Sequence, residues 1–167
     1  MFDILPASAV PPRVQLSDEL TAAKEISSSA FCRLPPSPER NSVLSALGRV
    51  GLASLKHKVC HRAQPIVDAA PERFPELLWV TDEAVNCRNY YVHGAERRRF
   101  GYDGNFNAEV FFAETLEFVF AASDLIEAGW DVKTWANKGT TMSHRFARFR
   151  VGYVTRLQEL KALLRRA

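Results

Sequence analysis

Residues 75–94 read PELLWVTDEAVNCRNYYVHG, and this stretch indicates a helix that ends in a polar motif. From Leu77 onward, apolar residues recur at three- and four-residue steps, which is the period of one face of an α-helix. Gly94 is suited to end that helix, because glycine readily adopts the left-handed conformation of a C-terminal cap. The pattern predicts a helix over residues 75–92, with the motif of residues 88–93 at its carboxyl end.

The motif combines a permanent cation, an amide and a proton carrier. Arg88 stays charged at any biological pH, and its planar fork suits phosphate oxygens. His93 gains or loses a proton near neutral pH, and Asn89 can orient either partner. These are the parts of a metal-free site that cleaves phosphodiesters. The spacing alone is weak support, because a chain this rich in arginine contains about one such pair by chance, and a helix-capping His93 with a solvated Arg88 is the structural alternative.

The rest of the chain also reads as helices. A short helix is predicted near Ser17, and a second one is capped by Ser37 with Pro38 in its first turn. A third helix follows Ser54, with a kink or break at Pro65. An apolar helix over 108–128 begins at Asn105 or Asn107 and ends at Gly129, and a last helix begins near Ser143. No run of alternating residues predicts a sheet, so the predicted fold class is all-α.

Two of these helices carry most of the expected core. The helix over 108–128 is apolar nearly all round and must be central or lie at an interface. The last helix places Phe146 and Phe149 on an apolar stripe at three- and four-residue steps. We therefore expect these rings in the core, although the arginines around them resemble an aromatic and basic surface for nucleic acid.

Composition sets the outer bounds. The 167 residues are 47% apolar and 25% charged, which is typical of one globular domain. The net charge of +3 is compatible with nucleic acid without requiring it. Three cysteines form no paired set, and no apolar run reaches the roughly 20 residues needed to cross a bilayer. We expect free thiols, no membrane association and a cytoplasmic protein.

Residues 1–33 are interpreted as an N-terminal arm with a possible short helix, and 34–167 as the helical domain.

The motif Arg88-Asn89-x-x-x-His93-Gly94, at the end of an internal helix, resembles the signature of the HEPN superfamily. The similarity to its ApeA-like branch extends over LPPSPERNSVL at residues 34–44 and on to the helix end at residues 125–130. The resemblance implies a bundle of four to six helices that dimerises through the motif helix. In active members it implies a metal-independent endoribonuclease without a cofactor. Its catalytic pair maps onto Arg88 and His93, and the assisting polar residue maps onto Asn89.

Helix geometry gives a further reason to expect a homodimer. Five positions along a helix rotate a side chain by roughly 140°, so Arg88 and His93 should converge poorly within one chain. Pairing two motif helices across a two-fold axis would bring the groups of one chain beside those of the other.

Other residues are weaker candidates. Arg97, Arg98 and Arg99 follow the motif and are the best candidates for holding an RNA backbone, with a solvated loop as the alternative. Tyr90 and Tyr91 could stack on bases but are interpreted as packing residues in the core or at a dimer contact. The histidines and the cysteine at 57, 60 and 61 lack a fourth ligand at motif spacing, so no metal site is predicted.

The resemblance also indicates a biological role, which is that of a toxin or phage-defence effector that cleaves RNA and is controlled by an antitoxin or a sensor domain. HEPN toxins paired with a nucleotidyltransferase antitoxin usually carry a tyrosine two residues after the histidine, and Ala95 stands there in this chain. That subtype is disfavoured. The alternative function is a non-catalytic HEPN module that dimerises and binds RNA, a nucleotide or a protein.

Overall fold

The computed structural model describes Pro11 and residues 15–94, 106–139 and 141–165. The regular elements of these residues are seven α-helices. They are α1 (Asp18–Cys32), α2 (Pro38–Arg49), α3 (Leu55–Ala69), α4 (Leu77–His93), α5 (Phe106–Glu127), α6 (Val132–Asn137) and α7 (Arg145–Leu164). The predicted all-α fold is confirmed. The sequence pattern missed α6, which is only six residues long.

Local capping explains where several helices begin. The hydroxyls of Ser17 and Ser37 each accept a hydrogen bond from a backbone amide in the first turn of α1 and α2, and Pro38 opens α2, as predicted. The last helix, predicted from about Ser143, begins at Arg145, and the His144 ring caps it by accepting a hydrogen bond from the Phe146 amide. Of the kink or break predicted at Pro65, the break does not occur. Its neighbours Ala63 and Ile66 are fully buried, so α3 continues to Ala69.

Contacts along the chain define two compact units, one ending at Ser54 and the other beginning at Leu55. In the first unit, α1 and α2 pack together, and neither helix has a buried residue. The Arg40 guanidinium joins them by donating to the carbonyls of Phe31 at 2.9 Å and Cys32 at 3.2 Å. The domain boundary predicted between residues 33 and 34 lies between these two helices and stays a prediction.

The second unit is a bundle in which α5 is central and contacts α3, α4 and α7. The central position predicted for this apolar helix is confirmed. Its core is rich in aromatic rings, and one cluster of rings in contact consists of Phe74, Phe111, Phe118, Phe149 and Tyr153. The Phe149 ring is 3% exposed and the Phe146 ring packs against the same cluster, so the expectation that both belong to the core is also confirmed.

Two interactions fix α3 and α7 in this bundle. The Arg62 side chain of α3 is buried and forms an ion pair with Asp124 of α5. The Tyr153 hydroxyl of α7 donates to the Pro75 carbonyl at 3.0 Å, and burial raises the pKa of this phenol above its ordinary value. Because Pro75 leads into α4, this bond ties the start of the motif helix to α7. Among the described residues, no helix is both long and apolar enough to span a bilayer.

Candidate active site

The motif lies on α4, whose apolar face packs against α3 and α5. The buried residues of this helix recur at helical spacing and are Leu77, Val80, Thr81, Glu83, Ala84, Val85 and Cys87. Gly94 ends the helix in the left-handed conformation, with φ of 62°, and its amide donates to the Tyr90 carbonyl at 3.0 Å. The predicted cap is therefore confirmed, and the predicted end at Val92 is extended by one residue to His93.

The three motif side chains meet at the exposed end of α4. Arg88 Nη1 lies 3.0 Å from Asn89 Oδ1 and 3.1 Å from His93 Nε2. A guanidinium can only donate, so in this contact Nε2 is the accepting nitrogen and the ring proton is on Nδ1. The imidazole is exposed, whereas Arg88 and Asn89 are half-buried. One chain thus brings a cation, an amide and a basic nitrogen within hydrogen-bonding distance of each other.

This convergence contradicts the expectation that Arg88 and His93 would lie apart within one chain. The rotation of roughly 140° between their positions describes where the Cα–Cβ bonds point and ignores the length of the arginine side chain. Five residues rise only about 7.5 Å along the helix axis, a distance that an extended arginine spans. The 3.1 Å contact follows from that reach. The single-chain geometry is therefore no longer an argument for a dimer.

An apolar wall supports Arg88. Its side chain lines a small surface depression together with Leu55 and Val59 of α3, Val85 of α4 and Leu116 of α5. Long cationic side chains cover apolar surface with their methylene stem and keep the charged head in water. The wall restricts the stem, while the guanidinium remains at the surface beside His93.

The two motif tyrosines differ in their surroundings. Tyr90 is partly buried and packs against the core, as predicted. Tyr91 is 55% exposed, so it is not a core residue, and the other part of its interpretation, a contact in a dimer, stays a prediction. It lies in the last turn of α4, where residues 91–94 are all exposed. Its hydroxyl donates to Glu109 Oε1 of α5 at 2.6 Å, which ties this turn to the start of α5.

Glu109 also acts on a buried thiol of α4. Burial and, to a smaller extent, the negative charge of Glu109 together raise the pKa of Cys87 to about 11. The thiol is 6% exposed and therefore belongs to the core under the motif rather than to a reactive surface.

Sequence reasoning missed two acidic residues near the motif. Glu109 is joined to the motif only through tertiary packing, so no local pattern could indicate it. Glu83 is 3% exposed on α4, with Asn86 Nδ2 at 3.4 Å from its carboxylate. A signal for Glu83 existed, since it lies between Val80 and Cys87 on the buried stripe, where a charged residue is unusual.

The remaining candidates are either outside the described residues or not gathered into a cluster of ligands. Arg97, Arg98 and Arg99 lie outside the described residues, as do Ala95 and Asn105. His57 and His61 are exposed on α3, and the Cys60 thiol lies 3.8 Å from the Leu78 carbonyl. Across the described ranges, no three His, Cys, Asp or Glu side chains are grouped as metal ligands.

Comparison with known families identifies the fold. The Apea-like HEPN family matches residues 16–134, which include α1 to α5, the whole motif and the first part of α6. No match was found among curated proteins, and none among solved structures. The match covers well over half of the 167 residues. The chain belongs to the Apea-like HEPN family.

Proposed function

We propose that this protein is a metal-independent endoribonuclease of the HEPN type. The observation that carries the proposal is the contact between Arg88 and His93, 3.1 Å apart at the exposed end of α4 in a chain of this family. A cation beside a basic nitrogen is what cleavage of RNA by its own 2′-hydroxyl requires. The substrate class is RNA because DNA lacks that hydroxyl.

The chemistry follows from the roles of the two side chains. His93 Nε2 removes the proton from the 2′-hydroxyl, and the 2′-oxygen attacks the adjacent phosphorus. Arg88 stabilises the negative charge that builds up on the phosphate oxygens. The bond to the 5′-oxygen then breaks, and that oxygen takes up a proton. The products are a 2′,3′-cyclic phosphate and a 5′-hydroxyl.

Substrate binding would also free His93 Nε2 to act as the general base. In the free protein, the Nε2 lone pair of His93 accepts a hydrogen bond from Arg88. A phosphate carries a full negative charge and is a stronger acceptor for a guanidinium than a neutral imidazole is. A phosphate that binds Arg88 therefore draws the guanidinium away from Nε2, and this nitrogen becomes available to the 2′-hydroxyl. The hydrogen bond from Arg88 to Asn89 Oδ1 restrains the guanidinium during that exchange.

The reaction needs both a base and an acid, which supports action as a homodimer. One chain places a single imidazole, that of His93, at the described site, whereas the other described histidines lie on α3 and at the start of α7. Two chains related by a two-fold axis would supply two copies of His93, one to accept the proton of the 2′-hydroxyl and one to protonate the leaving 5′-oxygen.

The biological role proposed for such a nuclease is that of a cytoplasmic toxin or phage-defence effector. Cleavage of cellular RNA stops growth, so the activity must be controlled by an antitoxin or by a sensor domain or protein. This part of the proposal rests on the family alone.

A non-catalytic HEPN module for dimerisation and binding is the second candidate. The observation in its favour is that Arg88 is hydrogen-bonded to Asn89 and His93 already in the free protein, as expected of residues that only stabilise a helix end.

Growth of cells that express the protein separates the two candidates. The nuclease predicts that wild type arrests growth and that His93→Ala does not, at equal protein levels. His61→Ala is the matched control, because this exposed histidine lies on α3 away from the motif, and it should arrest growth like wild type. Equal arrest by wild type and His93→Ala would favour the binding module.

A further inference from the structure

Exposed aromatic side chains are concentrated beside the motif. Among the described residues, only two of the Phe, Tyr and Trp side chains are mostly exposed, namely Tyr91 at 55% and Phe106 at 71%. Both are close to Glu109, because Tyr91 is hydrogen-bonded to it and Phe106 lies one helical turn before it on α5. The rest of the described aromatic side chains are buried or partly buried in the fold.

The Tyr91 ring is held in place although it is exposed. Its hydroxyl donates to Glu109 Oε1 at 2.6 Å, and the Tyr90 ring lies edge-on to it, with 5.1 Å between ring centroids and 77° between ring planes. One contact restrains the hydroxyl and the other restrains the ring. An aromatic ring that is already fixed loses little conformational entropy when a flat ligand covers it.

The position of this ring relative to Arg88 fits a nucleotide. Tyr91 lies three residues after Arg88, so the two side chains leave neighbouring points on the surface of α4. Proteins that bind single-stranded RNA combine cationic groups for the phosphates with aromatic rings on which the bases stack. Arg88 and Tyr91 provide one of each.

We propose that Tyr91 is a base-stacking residue of the RNA site, held in position by Glu109, and that it binds the nucleobase next to the phosphate on Arg88. The inference rests on the proposed function, since it assigns the substrate contact of the same site. It makes the protein select unpaired RNA, because a base inside a duplex cannot offer its face to a ring.

The test measures binding in the His93→Ala background, which should not cleave RNA, so it does not depend on cleavage. The probes are two fluorescein-labelled single-stranded oligomers of equal length, one of uridines and one of dihydrouridines. The two carry the same phosphates, but dihydrouridine has no aromatic face. Affinity is measured by fluorescence anisotropy for the His93→Ala protein and for the same protein with Tyr91→Leu, Tyr91→Phe or Glu109→Ala added.

Stacking predicts that Tyr91→Leu weakens binding of the uridine oligomer about tenfold and leaves binding of the dihydrouridine oligomer almost unchanged. Tyr91→Phe keeps the ring and loses only the hydrogen bond to Glu109, so its affinity for the uridine oligomer should fall no more than a few-fold. Glu109→Ala removes the same hydrogen bond and should lower the affinity by the same small factor. The two changes combined should then lose no more than either one alone.

Three results would overturn the inference. The first is an equal loss of affinity for both oligomers in the Tyr91→Leu variant. The second is a change in oligomeric state on gel filtration that accounts for the loss, which would make the ring a contact between copies of the chain. The third is no binding of the uridine oligomer by any form. Cleavage is not measured here, so a failure of the stacking proposal is distinct from a failure of the nuclease proposal.

Discussion

The Arg88 guanidinium and the His93 imidazole are hydrogen-bonded within one chain, with 3.1 Å between Nη1 and Nε2. The same nitrogen of Arg88 also contacts Asn89 at 3.0 Å. Arg88 Nη1 is therefore in contact with both the Asn89 amide and His93 Nε2, the nitrogen that is proposed to act as the base. In the proposed mechanism, a phosphate would break the contact with His93 by competing for Arg88.

Asn89→Ala tests the assisting role of the amide. Without Asn89 the guanidinium keeps its contact with His93 but loses its second restraint, so RNA cleavage should fall roughly ten- to a hundredfold. Asn86→Ala is the matched control, because that amide lies one turn earlier on α4 and contacts Glu83 instead. Cleavage rates and melting temperatures of both variants provide the measurement. A loss of activity as large in Asn86→Ala would contradict a specific role for Asn89.

The backbone around the motif was predictable because its determinants are local. The Gly94 cap and the caps at Ser17 and Ser37 depend on hydrogen bonds within about four residues, which a sequence pattern can indicate. α6 was missed because a helix of six residues is too short to show a period. Its cap, Asp131 bonded to the Thr134 amide at 2.9 Å, was the remaining signal.

The side-chain geometry of the site was not predictable to the same degree. The Arg88 to His93 contact depends on the conformation of a long side chain, which the helix period does not specify. The bond between Tyr91 and Glu109 joins residues 18 positions apart, and the Arg62 to Asp124 pair joins residues 62 positions apart. Such pairs depend on tertiary packing, so the motif could be named from sequence while its surroundings could not.

The ion pair between the buried Arg62 and the mostly exposed Asp124 predicts an asymmetric effect on stability. Asp124→Ala leaves the guanidinium of Arg62 buried without its counter-charge and should lower the free energy of unfolding by about 2 kcal/mol or more. Arg62→Met leaves only Asp124, which is mostly exposed and can be hydrated, so it should cost less. Urea denaturation of both variants checks the order. A larger loss for Arg62→Met would contradict it.

The cysteines should differ in reactivity and in their effect on pH stability. Cys32 is exposed, whereas burial and Glu109 raise the pKa of Cys87 to about 11. At pH 8 Cys87 is almost entirely thiol and should resist iodoacetamide while Cys32 is alkylated, as mass spectrometry of the intact protein and its peptides would show. Equal alkylation of the two cysteines in the folded protein would contradict this prediction.

The sign of the pH effect follows from the same shift. The folded pKa lies above the unfolded value of about 8.5, so the contribution of the protonated Cys87 to stability is full below that value. It is lost progressively as the pH rises toward about 11. Cys87→Ala should therefore remove part of the fall in unfolding free energy between these values.

The most direct test of the central claim is cleavage of total RNA by the purified protein in EDTA, with wild type beside Arg88→Ala and His93→Ala. Wild type should leave 2′,3′-cyclic phosphates and 5′-hydroxyls, and each variant should be at least about a hundredfold slower while keeping its helical circular dichroism spectrum. Cleavage that persists unchanged in the His93→Ala variant, or no cleavage by wild type, would contradict the proposal that Arg88 and His93 form a ribonuclease site.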